Sequence, residues 1–205
     1  IKSFCGKPLL SYAINEALDS DLFDEVVVST DSEAIADVAR DHGAQVPYMR
    51  SLKLSDDFTP LWEVTLDFLN RIKEMGYEYC CTLFCNPFVR KDSIIESFRK
   101  LEQSDKDHCF SVRKLNYHPG RIFTIANDSC EMEAPKNFNT RTQDLPAFYE
   151  EAAQFRWSRT NFKSPFFYDS NSLPFPILES LVCDIDTDED WARAELKFNR
   201  LTNYD

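Results

Sequence analysis

The chain has 205 residues, 43% of them hydrophobic and 14% aromatic, enough to fill one sizeable core and short enough for one main domain, 1–205. Its 23 Lys and Arg stand against 35 Asp and Glu, a formal charge of −12 whose field repels a nucleic-acid backbone, so polymeric nucleic acid is set aside as a partner. No stretch approaches the ~20 apolar residues that span a bilayer, and the first residues lack a signal-peptide layout, so a soluble protein without a membrane partner is expected.

Apolar residues at 9, 10, 13, 14, 17 and 18 give the three-four spacing of an amphipathic helix from Pro8 to Leu18. Phe23 to Ser29 then reads as a buried strand. Ser32 can cap a helix running through His42, with Gly43 as its stop. Gln45 to Tyr48 reads as a short strand, Thr59 to Met75 as a helix ended by Gly76, and Glu78 to Phe84 as a strand. Asp92 to Gln103 is a helix and His108 to Leu115 another strand. Such alternation implies an α/β fold with a doubly wound, mostly parallel sheet. Ligands of such sheets gather beyond the C-terminal strand ends, here near Ser29-Thr30-Asp31 and Asn86-Pro87-Phe88.

From about Asn116 to Pro176 the rhythm changes to short polar and aromatic pieces punctuated by Pro119, Pro135, Pro146, Pro165, Pro174 and Pro176. This reads as an inserted segment, 116–176. Its aromatics Phe148, Tyr149, Phe155, Trp157, Phe162, Phe166, Phe167 and Tyr168 show no helical period, which suggests a surface buried by a second copy in a homodimer. The alternative is a local minicore under a long loop. The chain then returns to the sheet with Ser180 to Asp184 and closes with a helix from Asp188 to about Thr202.

The seven cysteines are an odd set lying mostly in apolar, strand-like runs, as buried thiols of a reducing, cytoplasmic protein would be. Zinc is a poor fit, because adjacent Cys80 and Cys81 face opposite sides of a strand and no C-x-x-C pair occurs. A cysteine nucleophile such as Cys5 or Cys85 would have only His42, His108 and His118 to draw on.

The most informative local run is Leu181-Val182-Cys183-Asp184-Ile185-Asp186-Thr187-Asp188-Glu189-Asp190-Trp191. Side chains alternate along an extended chain, so Asp184 and Asp186 point the same way, where a hard divalent cation bound to phosphate has room between them. Helix capping is the competing reading. Thr187 with Asp190 fits a capping box, and the acidic residues from Asp188 complement a helix dipole. Capping leaves Asp184 and Asp186 unexplained, and on spacing alone both readings stay open.

Several segments together resemble the acylneuraminate cytidylyltransferases, which make CMP-activated nonulosonic acids, and most of all the pseudaminic acid branch. They are Ile1-Lys2-Ser3-Phe4-Cys5-Gly6-Lys7-Pro8-Leu9, Val26-Val27-Val28-Ser29-Thr30-Asp31-Ser32-Glu33-Ala34-Ile35-Ala36, Val46-Pro47-Tyr48-Met49-Arg50 with Leu54-Ser55-Asp56-Asp57-Phe58-Thr59, Thr140-Arg141-Thr142-Gln143-Asp144-Leu145 with Tyr149, Gln154, Phe155 and Trp157, and finally Asp184-Ile185-Asp186-Thr187 with Asp190-Trp191. The resemblance implies a Rossmann-like fold of the nucleotide-diphospho-sugar transferase type with an inserted dimerisation segment. It implies transfer of CMP from CTP to the anomeric hydroxyl of a nine-carbon 2-keto sugar acid, with release of pyrophosphate. Asp184 and Asp186 become the catalytic ligands of Mg2+, for which Mn2+ can substitute. Arg50 and Asn86 fall on the nucleotide side; Arg141, Gln143, Gln154 and Arg121 fall on the sugar side.

The departures from that family are specific. Its members open with a strand and a glycine- and basic-rich loop around the triphosphate, and this chain begins just after that point, so a missing nucleotide loop is expected. The pseudaminic branch usually shows Tyr-His-Asp-Ala-Gly-Gln-Phe where this chain has Tyr149-Glu150-Glu151-Ala152-Ala153-Gln154-Phe155, which leaves the sugar open. Cys85-Asn86-Pro87 stands where relatives carry Thr-Ala-Pro or Thr-Ser-Pro. Two other readings compete: a metal-dependent glycosyltransferase using a nucleotide sugar, whose acidic triplet usually lies mid-chain, and a non-catalytic sugar-nucleotide-binding homologue.

Overall fold

The computed structural model describes residues 1–202. β1 (Ser3–Phe4) and β2 (Lys7–Pro8) form a tight hairpin whose turn residues Cys5 and Gly6 have φ of 44° and 87°, the left-handed pair that a two-residue I′ turn demands. α1 (Leu9–Asp19) follows, burying Ala13, Ile14 and Ala17, and then α2 (Glu33–Asp41) and α3 (Leu61–Glu74). β3 (Tyr79–Leu83), α4 (Lys91–Glu102) and β4 (His108–Lys114) come next. β5 (Phe123–Ala126) and β6 (Ser129–Met132) form an isolated hairpin, followed by β7 (Tyr149–Arg159), β8 (Ser172–Pro176) and α5 (Asp188–Thr202).

The α/β architecture is the expected one, and its central sheet is mixed. Strand order is β3-β7-β4-β8; β4 and β8 run parallel, while β7 is antiparallel to both its neighbours. The antiparallel member comes from the segment read as an insertion. Within 116–176, β7 and β8 belong to the main sheet, and the part outside it is centred on the β5–β6 hairpin. Three of the aromatics expected at a partner surface, Phe155, Trp157 and Phe167, are buried instead, whereas Phe148, Tyr149, Phe166 and Tyr168 are exposed. Trp157 sits in the main core with Ile94, Leu101, Cys109 and Phe155, and its indole N–H donates to Ser97 Oγ at 3.0 Å. Cutting such a side chain to alanine costs about 3–5 kcal/mol.

Three expected strands, 23–29, 45–48 and 180–184, are not strands, for two local reasons. Around Val27 the chain makes one parallel bridge to Gln45, with Gln45 N–H donating to Val26 O at 2.7 Å and Val28 N–H to Gln45 O at 2.9 Å. The next donor in that ladder would be residue 47, a proline without an N–H, so pairing stops after one bridge. Contact resumes only where Arg50 N–H donates to Thr30 O at 2.8 Å. Among the described residues the Ser180 to Asp184 stretch pairs with no strand. It is a 3-10 turn over Glu179–Leu181 followed by extended backbone, with Val182 buried.

β7 carries a large bulge against β4. Phe110 faces Arg156 and Val112 faces Glu151, so the single residue Ser111 lies opposite four, 152 to 155. Ser111 Oγ accepts from the N–H groups of Gln154 at 3.1 Å and Phe155 at 3.3 Å, which satisfies donors the ladder has lost. Ala153, at φ 47°, makes the turn that the bulge requires.

The N-terminal hairpin packs onto α5. Phe4, Phe88 and Ala194 form a second buried cluster, with Trp191, Phe198, Cys183 and Ile185 packed against it. The chain that carries the acidic triplet is thereby fixed on its inner side.

Candidate active site

Arg50 stands at the end of the interrupted 26–30 segment. Its Nε donates to Ser55 Oγ at 3.0 Å and its Nη1 to Ser29 O at 3.4 Å, and Asp31 lies 3.6 Å away. Ser55 in turn donates to Ser51 O at 2.9 Å, so the guanidinium is held in place by a bonded neighbour. It lines a cavity of about 180 Å³ with Tyr48, Val64, Asp67 and Arg71. On the wall, Arg71 lies 4.7 Å over the Tyr48 ring and pairs with Asp67 at 2.8 Å. Burial pushes the Tyr48 phenol up, so it is a neutral donor there.

Asp184 and Asp186 lie on one exposed face, with Ile185 turned inward between them. The ion pairs of this stretch fall on neighbours: Asp188 with Lys2 at 3.2 Å and Asp190 with Arg193. Among the described residues none involves Asp184 or Asp186. The capping box is also present, with Asp190 N–H donating to Thr187 Oγ1 at 3.1 Å and Thr187 N–H returning to Asp190 Oδ2 at 2.9 Å. Capping and a free carboxylate pair therefore coexist on consecutive residues. Two unpaired carboxylates on one face could hold Mg2+, an ion commonly held by one or two carboxylates with phosphate oxygens and waters completing its shell. No group of three or more His, Cys, Asp or Glu is placed to cage an ion among the described residues.

Asn86 and Gln154 are turned inward. The Asn86 amide donates to Ala153 O at 3.3 Å and Cys183 O at 3.1 Å, and its Oδ1 accepts from Phe88 N–H at 2.9 Å. Gln154 is fully buried; its Nε2 donates to Leu181 O at 2.7 Å, and its Oε1 has no partner. The fold thus brings Asn86, Gln154 and the Asp184 segment together. Arg50 contacts a different set of residues.

On the sugar side, Arg121 donates to Thr140 O, next to Arg141. Arg141 is 71% exposed and makes a bidentate pair with Asp144 at 2.7 and 3.1 Å. Exposed pairs of this kind contribute about 0–1 kcal/mol, so the guanidinium is readily released to another carboxylate. Gln143 is exposed in the same 3-10 turn, Thr142–Asp144. Glu150 pairs with Arg113 of β4. Glu151 forms a bidentate pair with Arg156 at 2.5 Å, with the Tyr168 hydroxyl at 2.5 Å from the same carboxylate.

Sequence reasoning missed Arg113, Arg156, Ser111 and Lys197. The two arginines lie in β-strand runs, where pairing partners are set only by register. The cysteines carry no nucleophile signal: burial pushes the Cys80 thiol up to about 12 and Cys109 to about 11, and all seven are free thiols. No helix among the described residues is long and apolar enough to cross a membrane.

The profile of a family described as cytidylyltransferase matches residues 1–202. A pseudaminic acid cytidylyltransferase of Campylobacter jejuni is 33% identical over 204 residues, covering 97% of this chain and 88% of that protein. A CMP-N,N'-diacetyllegionaminic acid synthase of Legionella pneumophila is 30% identical over 203 residues, covering 93% and 84%. Among solved structures, a CMP:2-keto-3-deoxy-manno-octonic acid synthetase complexed with CTP covers 97% of this chain and 90% of its own, with a TM-score of 0.68 at 12% identity. That last likeness is one of fold.

Proposed function

The chain belongs to the cytidylyltransferase family, and from that premise we propose that it transfers CMP from CTP to the anomeric hydroxyl of a nonulosonic acid, releasing pyrophosphate. The observation that carries this reading is kinship along nearly the whole chain with enzymes named for that transfer on pseudaminic and legionaminic acids.

In the reaction the anomeric oxygen forms a bond to the α-phosphorus, the bond from that phosphorus to the bridging oxygen breaks, and pyrophosphate leaves with the electron pair. The hydroxyl proton passes to solvent. Arg50 donates to the cytosine acceptors from the end of the 26–30 segment, its guanidinium oriented by Ser55 and Ser29. Arg141, with Arg121 and Gln143 beside it, clamps the sugar carboxylate once Asp144 gives way. Asp184 and Asp186 would hold Mg2+, or Mn2+ in its place, an ion that would supply charge neutralisation for the pyrophosphate. Holding oxygen and phosphorus in line contributes roughly 7–11 kcal/mol in favourable cases.

We also propose that the protein works as a homodimer in the cytoplasm. A two-stranded hairpin is marginal alone, and the β5–β6 hairpin leaves Ile125 81% exposed, while Phe138, after it in the chain, is 70% exposed. Seven free thiols suit a reducing compartment. The test of function is pyrophosphate release from CTP on adding pseudaminic, legionaminic or N-acetylneuraminic acid in turn. Release that needs CTP, one of the acids and a divalent ion is expected; no release with any of them overturns the reading.

A further inference from the structure

The backbone that delivers Asp184 has lost its sheet partners, yet its carbonyls are not unpaired. Three in succession accept from side chains of three different elements. Leu181 O accepts from Gln154 Nε2 on the β7 bulge at 2.7 Å, Val182 O from Lys197 Nζ on α5 at 2.5 Å, and Cys183 O from Asn86 Nδ2 after β3 at 3.1 Å. Lys197 also donates to Glu179 O at 2.9 Å. In a sheet these bonds would come from a neighbouring strand with fixed spacing. Beyond the two local turn bonds, Leu181 N–H to Leu178 O and Val182 N–H to Glu179 O, the described hydrogen bonds that tie 181–183 to the rest of the fold come from side chains.

The three suspending groups are themselves tied down. Asn86 is locked by Phe88 N–H, Lys197 stands 5.6 Å over the Phe88 ring, and the Gln154 backbone is held by Ser111. From Cys183 onward the chain is anchored by the inward side chains of Cys183 and Ile185, which leaves the two aspartates facing outward. A shift of the segment by one carbonyl would exchange inward and outward faces.

We infer that Lys197, acting with Asn86 and Gln154, is a positioning residue: it fixes the backbone whose end presents Asp184 and Asp186, without touching substrate. The inference rests on the proposed reading of that pair as the cation-binding carboxylates. Lys197 carries it best, because an ammonium donating to two neutral carbonyls makes charge-assisted bonds that no other side chain of α5 supplies to this segment.

The test uses the full chain with Lys197→Met, which keeps the aliphatic stem, Lys197→Arg as the conservative variant, and Arg200→Met, exposed on the last turn of α5, as a control. Two quantities are read: amide hydrogen exchange of residues 182–187 without metal, and the Mn2+ dissociation constant by titration in the presence of CTP. Lys197→Met is expected to speed exchange in 182–187 and to weaken Mn2+ about tenfold, the scale on which groups behind metal ligands act. Lys197→Arg should recover most of both, and Arg200→Met should change neither. If Lys197→Met unfolds the protein, Asn86→Leu gives the same two readings from the other end of the segment. Unchanged exchange and unchanged Mn2+ affinity in a folded variant overturn the inference while leaving the function intact. Wild-type Mn2+ affinity in Asp186→Asn instead removes the cation reading, and this inference with it.

Discussion

Two acidic pairs of this fold have opposite fates. Glu150 and Glu151 are consecutive on β7, so they face opposite sides, and each meets an arginine of the same chain, Arg113 and Arg156. Asp184 and Asp186 are two residues apart, share a face and meet no cation among the described residues. The comparison shows that a formal charge of −12 says little about a site until each carboxylate has been assigned its partner. The glutamates are part of the scaffold, and the aspartates are left for a ligand.

The largest contrast should come from neutralising one member of each pair. Asp186→Asn is expected to slow pyrophosphate release at least a hundredfold, about 2.7 kcal/mol, without lowering the denaturant midpoint, because the Asp186 carboxylate makes no hydrogen bond or ion pair among the described residues. Glu151→Gln should do the reverse. The Arg156–Glu151 pair is only 14% and 19% exposed, so leaving the guanidinium unpaired is expected to cost about 2–3 kcal/mol in chemical denaturation. At Glu150, where the pair is 35% and 39% exposed, the same change should cost less than about 1 kcal/mol. Equal losses at both glutamates would break the assignment of Glu151 to the scaffold.

A smaller effect is expected between the two pairs, at Ala153. Its φ of 47° costs a residue with a Cβ roughly 1–2 kcal/mol, partly offset because glycine gains more freedom on unfolding. Ala153→Gly should therefore stabilise the chain by about 0.5–1 kcal/mol, with little change in rate, as read from the denaturation midpoint and from pyrophosphate release.

The smallest effect is the acid response of the turn beyond Asp186. The Thr187 hydroxyl, then the Arg193 guanidinium, hold the Asp190 carboxyl down at about 2, against an ordinary 3.8. A carboxyl depressed in the folded state lends its support in full above about pH 4 and loses it as pH falls from 3.8 towards 2. Fluorescence of Trp191, read in a variant whose other tryptophans are phenylalanine, should change in that window, and Asp190→Asn should abolish the change.

Much of this was legible in the sequence. The helices follow their three-four spacing closely, and the Thr187–Asp190 box is where its residues place it. The place of β7 was not legible, because a four-residue bulge breaks its alternation and the strand is buried on both faces; from its pattern it reads as irregular. The missing 26–30 ladder depends on Pro47, whose effect shows only once the pairing partner is known. At the site, polar Gln154 in an apolar run signals either a ligand or an internal bond, and period alone does not separate them. Lys197 carries no signal at all: on a helix it reads as a solvated face, and its carbonyl partners exist only after α5 docks.

The most direct test is to follow CTP radiolabelled at the α-phosphorus, mixed with a nonulosonic acid and Mg2+, using the protein and its Asp184→Asn, Asp186→Asn double variant. The account predicts that label moves into a CMP-sugar conjugate with the protein and stays in CTP with the double variant. Transfer by the double variant at the rate of the unaltered chain would contradict it.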